Sequence, residues 1–227
     1  MKILVSDFDK TLYREDYLKN IKHVNKFVEE GNIFIIATGR NIKSILGEIS
    51  NKNIKYDYLI CNDGGTIFDK NNNLVISKNI DFNIVEEICK IVKSSDSIDT
   101  VYIDNGITLV ESISNPTNGI IAGYNDYLKT TKLLSNIMES YPSVHGYLSE
   151  NWLNITNIEA SKGLAIKYLE EKLGWNKDDI FVAGDNINDI SMFELYKGFA
   201  MADGSKDLKK ICYKIVDKYT HIFDLMK

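Results

Sequence analysis

Short, almost unbroken apolar runs separated by helix-length amphipathic segments constrain this chain more than any other feature. Residues 3–5, Ile33–Ala37, Tyr58–Cys61 and 180–183 are such runs. They suit parallel strands buried on both faces, because a half-exposed strand would alternate apolar with polar residues. Between the first two, Ile21, Val24, Phe27 and Val28 recur at helical spacing and the pattern stops at Gly31; a second helical pattern begins near Ile42. This alternation predicts an α/β fold with an open, doubly wound, Rossmann-like parallel sheet. A length of 227 residues allows that core plus a small insert.

The rhythm changes after residue 65. Residues 66–68 and 74–77 flank Asp69-Lys70-Asn71-Asn72-Asn73, a hairpin signal, and residues 100–104 and 107–111 flank Asn105-Gly106, a stronger one. Helical patterns at 82–92 and 130–140 and strand patterns at 144–148 and 152–155 complete a small α+β unit. It is expected at 80–156, inserted into a core formed by 1–79 and 157–227. The parallel pattern resumes with a helix over 160–173, ended by Gly174, and the strand 180–183. A helix to about 195, an apolar run at 199–202, a helix at 205–212 and a strand at 214–216 finish the core.

Three strands end in groups that can handle phosphate or metal: Asp7 and Asp9, Thr38-Gly39, and Asp185. Ligands of open α/β sheets bind beyond the carboxyl ends of the strands, so all three should meet in one crevice. Asp7 and Asp9, two apart, are expected to leave the strand on one side. Carboxylates that close raise each other's pKa unless a hard cation with oxygen ligands, Mg2+ being the usual choice, lies between them. Asp185 supplies a third carboxylate. Thr38 offers a hydroxyl and Gly39 an unobstructed amide. Lys162 begins a helix, where a cation is disfavoured by ~0.3–1 kcal/mol. Gly163 weakens the same helix by up to ~1 kcal/mol. Neither residue suits the local structure, which points to a functional ammonium. Asn41 and Asn188 stand where helices start and Asp189 in a first turn, so capping and the helix dipole also account for them.

Composition narrows the partners. A net charge of −5 argues against nucleic acid, whose phosphates need a basic face. Three scattered cysteines suggest thiols in a reducing compartment, and no apolar run is long enough to span a membrane. A cytoplasmic protein acting on a small molecule is expected. The sequence carries no signal for oligomeric state.

Taken together, Asp7-Phe8-Asp9-Lys10-Thr11, Thr38-Gly39-Arg40, Ser161-Lys162-Gly163 and Gly184-Asp185-Asn186-Ile187-Asn188-Asp189 resemble the four motifs of the haloacid dehalogenase-like (HAD) superfamily. Their spacing is similar to that of its Cof-type, class IIB phosphatases, which carry a C2-type cap between the second and third motifs. The resemblance covers the core; for the insert it covers only position and size. It implies that Asp7 is a nucleophile forming an aspartyl-phosphate and a metal ligand, and that Asp9 is the acid/base with its backbone carbonyl on Mg2+. It further implies that Thr38 and Lys162 bind the phosphoryl group with Gly39 beside them, and that Asp185 completes the metal ligands. Asn188 and Asp189 match the second half of the last motif, near phosphate and metal. Thr11, Arg40, Asn62 and Gly64 fall near the substrate. Lys10 departs from the Gly that many members carry. The implied activity is Mg2+-dependent hydrolysis of a small phosphorylated metabolite: a sugar phosphate, phosphoglycolate or a phosphorylated cofactor. A phosphotransferase or sugar phosphomutase using the same intermediate, or a non-catalytic phosphate-binding protein, are the alternatives. In the cap, Tyr102, Tyr124, Tyr127, Tyr147 and Trp152 could line a pocket or belong to core and surface.

Overall fold

The computed structural model describes residues 1–226. In chain order the elements are β1 (Ile3–Asp7), α1 (Tyr17–Glu29), β2 (Ile33–Ala37), α2 (Ile42–Ile49), β3 (Tyr58–Cys61), β4 (Thr66–Asp69) and β5 (Leu74–Ser77). There follow α3 (Phe82–Lys93), β6 (Ile98–Asp104), β7 (Leu109–Val110), β8 (Gly119–Tyr124), α4 (Tyr127–Ser140), β9 (Val144–Ser149) and β10 (Trp152–Asn157). The chain ends with α5 (Lys162–Leu173), β11 (Ile180–Gly184), α6 (Ile190–Phe193), β12 (Lys197–Met201), α7 (Lys206–Ile211), β13 (Lys214–Val216) and α8 (His221–Leu225).

The larger sheet runs β13-β12-β11-β1-β2-β3-β4-β5. Its first six strands are parallel and the last two join antiparallel. The apolar runs explain its burial, because alternate side chains feed opposite layers. Leu4, Phe34, Ile36 and Leu59 face one cluster with Val24, Ile45 and Ile222 from α1, α2 and α8. Ile3, Val5, Ile35 and Ile60 face the other with Ile166, Leu169, Met192 and Leu208 from α5, α6 and α7. Strand order turns back at β1: β2 and β3 continue on one side, β11 to β13 on the other. That switch point lies between the ends of β1 and β11, where Asp7 and Asp185 stand.

The second sheet, β7-β6-β8-β10-β9, is antiparallel throughout. One face packs Ile103, Ile120, Ala122, Leu153 and Ile155 against Val85, Ile88, Leu134 and Ile137 of α3 and α4. The α+β cap expected from the hairpin signals is therefore present. The Asn105-Gly106 turn is looser than a two-residue hairpin: Asn105 Oδ1 accepts from the amides of Ile107 and Thr108, and this local bonding delays β7 to Leu109. Helix α5 starts at Lys162 instead of 160, because Ser161 caps it by accepting from the Leu164 amide. Among the described residues no helix is long and apolar enough to cross a membrane.

Candidate active site

Asp7 is the last residue of β1 and is almost wholly buried. Its Oδ1 accepts a hydrogen bond of 2.7 Å from Nζ of Lys162, the first residue of α5. The same ammonium donates at 2.7 Å to Oδ1 of Asp189. Asp189 Oδ2 accepts from the amides of Asp185 at 2.9 Å and Asn186 at 3.1 Å, which fixes the loop after β11. Asp185 Oδ1 in turn accepts from the Thr11 hydroxyl at 2.8 Å. Residues 155 apart in sequence are thus held in one buried network.

Carboxylate oxygens of Asp7, Asp185 and Asp189 all lie within 4.8 Å of one another. Burial pushes the Asp7 carboxyl well above its ordinary value, against the opposing pull of Lys162, and the charges of Asp189 and Asp185 push it further. Burial likewise raises Asp185, with Asp189 adding to the shift and Thr11 opposing it. Burial alone would lower Lys162, yet Asp189 and Asp7 hold it above its usual value, so it stays an ammonium. Three carboxylates share one ammonium, which leaves negative charge uncompensated. All the donors are hard oxygens, so the residues fit a hard divalent cation.

Asp9 departs from the expected geometry. β1 ends at Asp7, the chain turns, and Lys10 takes a left-handed conformation with φ 61°. The Asp9 carboxylate therefore leaves the buried cluster and receives two bonds from Arg40, at 2.8 and 2.7 Å, at the mouth of the cleft. Arg40 also reaches Glu48 at 3.3 Å and lies over the Phe8 ring. Thr38 follows β2; its Oγ1 accepts from the Arg40 amide, which leaves the hydroxyl proton free to donate.

Several residues expected near a ligand support the site from behind instead. Thr11 is buried and spends its hydroxyl on Asp185. Asn62 turns inward to accept from Thr66 Oγ1. Gly64, at φ +96°, is where the 62–64 turn meets α5, since a Cβ there would stand 2.1 Å from the Ser161 carbonyl oxygen. Gly163 has the same explanation: its Cβ would lie 2.1 Å from the Ser191 oxygen. Close packing therefore accounts for that glycine without any part in chemistry. Asn188 is not the helix cap; Asn186 is, and Asn188 Nδ2 donates to Asp63 Oδ1 at 2.9 Å.

The cleft has a volume of about 530 Å³ and lies between Asp7, Thr38, Gly39 and Asp185 on the core side and Tyr147, Ser149, Glu150, Trp152 and Asn154 on the cap side. Strand alternation sets the cap wall: Leu153 and Ile155 point into the cap core, which sends Trp152 and Asn154 the other way, paired with Ser149 and Tyr147 of β9. Of the cap aromatics, Tyr147 and Trp152 reach the cleft; Tyr102 packs beside Trp152, and Tyr124 beside Tyr127. Two bridges join cap to core here. The Tyr147 hydroxyl donates to Asp63 Oδ2, and Lys10 meets Glu150 at 3.2 Å. Asp63 was the residue to single out at the end of β3, in place of Asn62; its position after a buried strand was the available signal. Glu150 and Asn154 had no comparable signal.

The chain is similar to known proteins over most of its length. A family profile of haloacid dehalogenase-like hydrolases matches residues 4–143 and 111–221. An uncharacterized protein of Mycoplasma capricolum is 31% identical over 86% of this chain and 88% of its own. The 5-amino-6-(5-phospho-D-ribitylamino)uracil phosphatase of Bacillus subtilis is 24% identical over 96% of this chain and 90% of its own. A crystal structure of a haloacid dehalogenase-like hydrolase from Bacteroides thetaiotaomicron superposes with a TM-score of 0.85 at 16% identity, covering 100% of this chain and 99% of that one.

Proposed function

The chain belongs to the haloacid dehalogenase-like hydrolases, and from that premise we propose that it is a Mg2+-dependent phosphatase of small phosphomonoesters, working through an aspartyl-phosphate on Asp7. The observation that carries this reading is the buried Asp7–Lys162–Asp189 network beside Asp185, which opens onto a cleft roofed by a cap. The core is taken as 1–79 and 157–227 and the cap as 80–156.

Asp7, Asp185 and the backbone carbonyl of Asp9 would hold Mg2+, with Asp189 behind them. Bound there, the cation would neutralise phosphoryl oxygens and the crowded carboxylates. Lys162 takes one oxygen of Asp7, leaving the other to attack phosphorus in line while the P–O bond to the leaving group breaks. Asp9 donates a proton to the departing oxygen, then takes one from the water that cleaves the acyl-phosphate. Arg40 holds the Asp9 carboxylate at two points, which fixes its direction at the mouth of the cleft. Thr38 and Gly39 face the phosphoryl oxygens, with Asn188 in the same cleft and Lys162 behind Asp7. The cap wall screens the intermediate from bulk solvent while leaving room for the attacking water.

The relative from Bacillus subtilis acts on a phosphorylated ribitylamino compound, which supports a small, hydroxyl-bearing phosphomonoester as the substrate class. The test is phosphate release from p-nitrophenyl phosphate with Mg2+, with EDTA, and with Asp7→Asn. EDTA should abolish release, and Asp7→Asn should lower kcat by at least ~10⁴-fold. Turnover untouched by either would refute the scheme. Transfer of the phosphoryl group to a sugar in place of water would make the enzyme a phosphotransferase or mutase.

A further inference from the structure

We propose that the cap-facing half of the cleft is a charge filter. Asp63 and Glu150 admit phosphomonoesters with a neutral or cationic leaving group and turn away those carrying a second anionic group. The inference rests on the phosphatase reading above and narrows its substrate class.

The charges along the cleft are lopsided. Five carboxylates line it (Asp7, Asp9, Asp63, Glu150 and Asp185) against two cations, Lys10 and Arg40. Both cations are engaged: Lys10 with Glu150 at 3.2 Å, and Arg40 with Asp9 at two points and with Glu48. Lys162 is buried behind Asp7 and spent on Asp7 and Asp189. A phosphoryl group seated at Asp7 therefore leaves no cation of the deep half to spare for a second anionic group. Its leaving group must face Asp63, Glu150, Ser149, Asn154, Asn186 and the half-exposed ring of Trp152.

That wall suits hydroxyls. Asp63 and Glu150 accept from them, Ser149, Asn154 and Asn186 exchange bonds with them, and the Trp152 ring covers C–H edges. Asp63 keeps its acceptor character although Tyr147 and Asn188 already donate to it, because neither neutral donor cancels its charge. A carboxylate or second phosphate in the same place would meet Asp63, whose donors Tyr147 and Asn188 are neutral, and Glu150, whose cation partner Lys10 it would have to share. Discrimination of this kind comes from repelling the wrong ligand as much as from holding the right one.

A matched pair of three-carbon esters reads the filter: glycerol 3-phosphate ends in a hydroxyl where 3-phosphoglycerate ends in a carboxylate. Each is measured with Mg2+ as a substrate and as a competitive inhibitor of p-nitrophenyl phosphate hydrolysis, in the wild type and in Glu150→Gln. Glycerol 3-phosphate should be favoured by about tenfold or more in kcat/KM or Ki, and Glu150→Gln should narrow that ratio at least about threefold. Equal use of the two esters, binding of neither, or a ratio unmoved in Glu150→Gln would overturn the filter while leaving the phosphatase intact. A preference for 3-phosphoglycerate that vanishes in Lys10→Met would also overturn it, and would make Lys10 an anion receptor. Failure to release phosphate from any of the three compounds would refute the phosphatase reading itself, and the filter with it.

Discussion

The two walls of the cleft are built on opposite physical terms. On the core side, Lys162 and Asp189 are wholly buried and Asp7 nearly so, interlocked by bonds of 2.7 Å. On the cap side, Lys10 and Glu150 meet with 68% and 72% of their side chains exposed, and Trp152 is 41% exposed. Buried charges are costly to rearrange, whereas exposed pairs are screened and loosely held. The chemistry proposed above falls in the first environment, and the proposed recognition of the leaving group in the second.

The sharpest way to break that contrast is to remove the shared cation. Lys162→Met leaves Asp7 and Asp189 facing each other without compensation, and should cost about 3–5 kcal/mol of stability in urea unfolding of the metal-free protein. A loss under ~1 kcal/mol would mean that the core network is no more committed than the surface.

Metal and pH sharpen the same point. Burial raises Asp7 and Asp185, so in the metal-free protein both bind protons more readily folded than unfolded. Their contribution to stability is present in acid and lost as pH rises through the raised values. A bound divalent cation competes with those protons, so stabilisation by Mg2+ should be large at neutral pH and smaller at acidic pH. Thermal unfolding with and without Mg2+ at both pH values checks this; a pH-independent shift would place the ion elsewhere.

On the cap side the effects should be smaller. Tyr147→Phe removes the hydroxyl donated to Asp63 and should raise KM by about threefold to tenfold with kcat little changed, as expected for loss of one hydrogen bond to a charged group. An equal fall in kcat would move Tyr147 into the chemistry. Smallest of all, Lys10→Ala should alter stability by no more than ~1 kcal/mol in the same urea assay.

The same division decided what the sequence made legible. Buried strands must be apolar and must end in polar groups where ligands bind, so Asp7, Thr38 and Asp185 could be read from the ends of β1, β2 and β11. Lys162 stood out because it defied its helix. Thr11 and Asn62 sat in the right segments, but their side-chain directions depend on turns with positive φ, which local pattern does not fix, and Gly64 is set by its close approach to α5. The direction of Asp9 was lost for the same reason, as the strand stops at Asp7 and the spacing rule stops with it. Asn154 gave no signal, because the alternation of β10 shows only that it avoids the cap core, not that a cleft lies opposite, and Glu150 sits in a positive-φ turn between β9 and β10.

The central claim is that Asp7 takes the phosphoryl group, and acid-quenching the enzyme during turnover of a phosphate-labelled substrate tests it most directly. The account predicts label on the peptide bearing Asp7, sensitive to hydroxylamine and absent in Asp7→Asn. Label on another residue, or phosphate release at wild-type rate by Asp7→Asn, would contradict it.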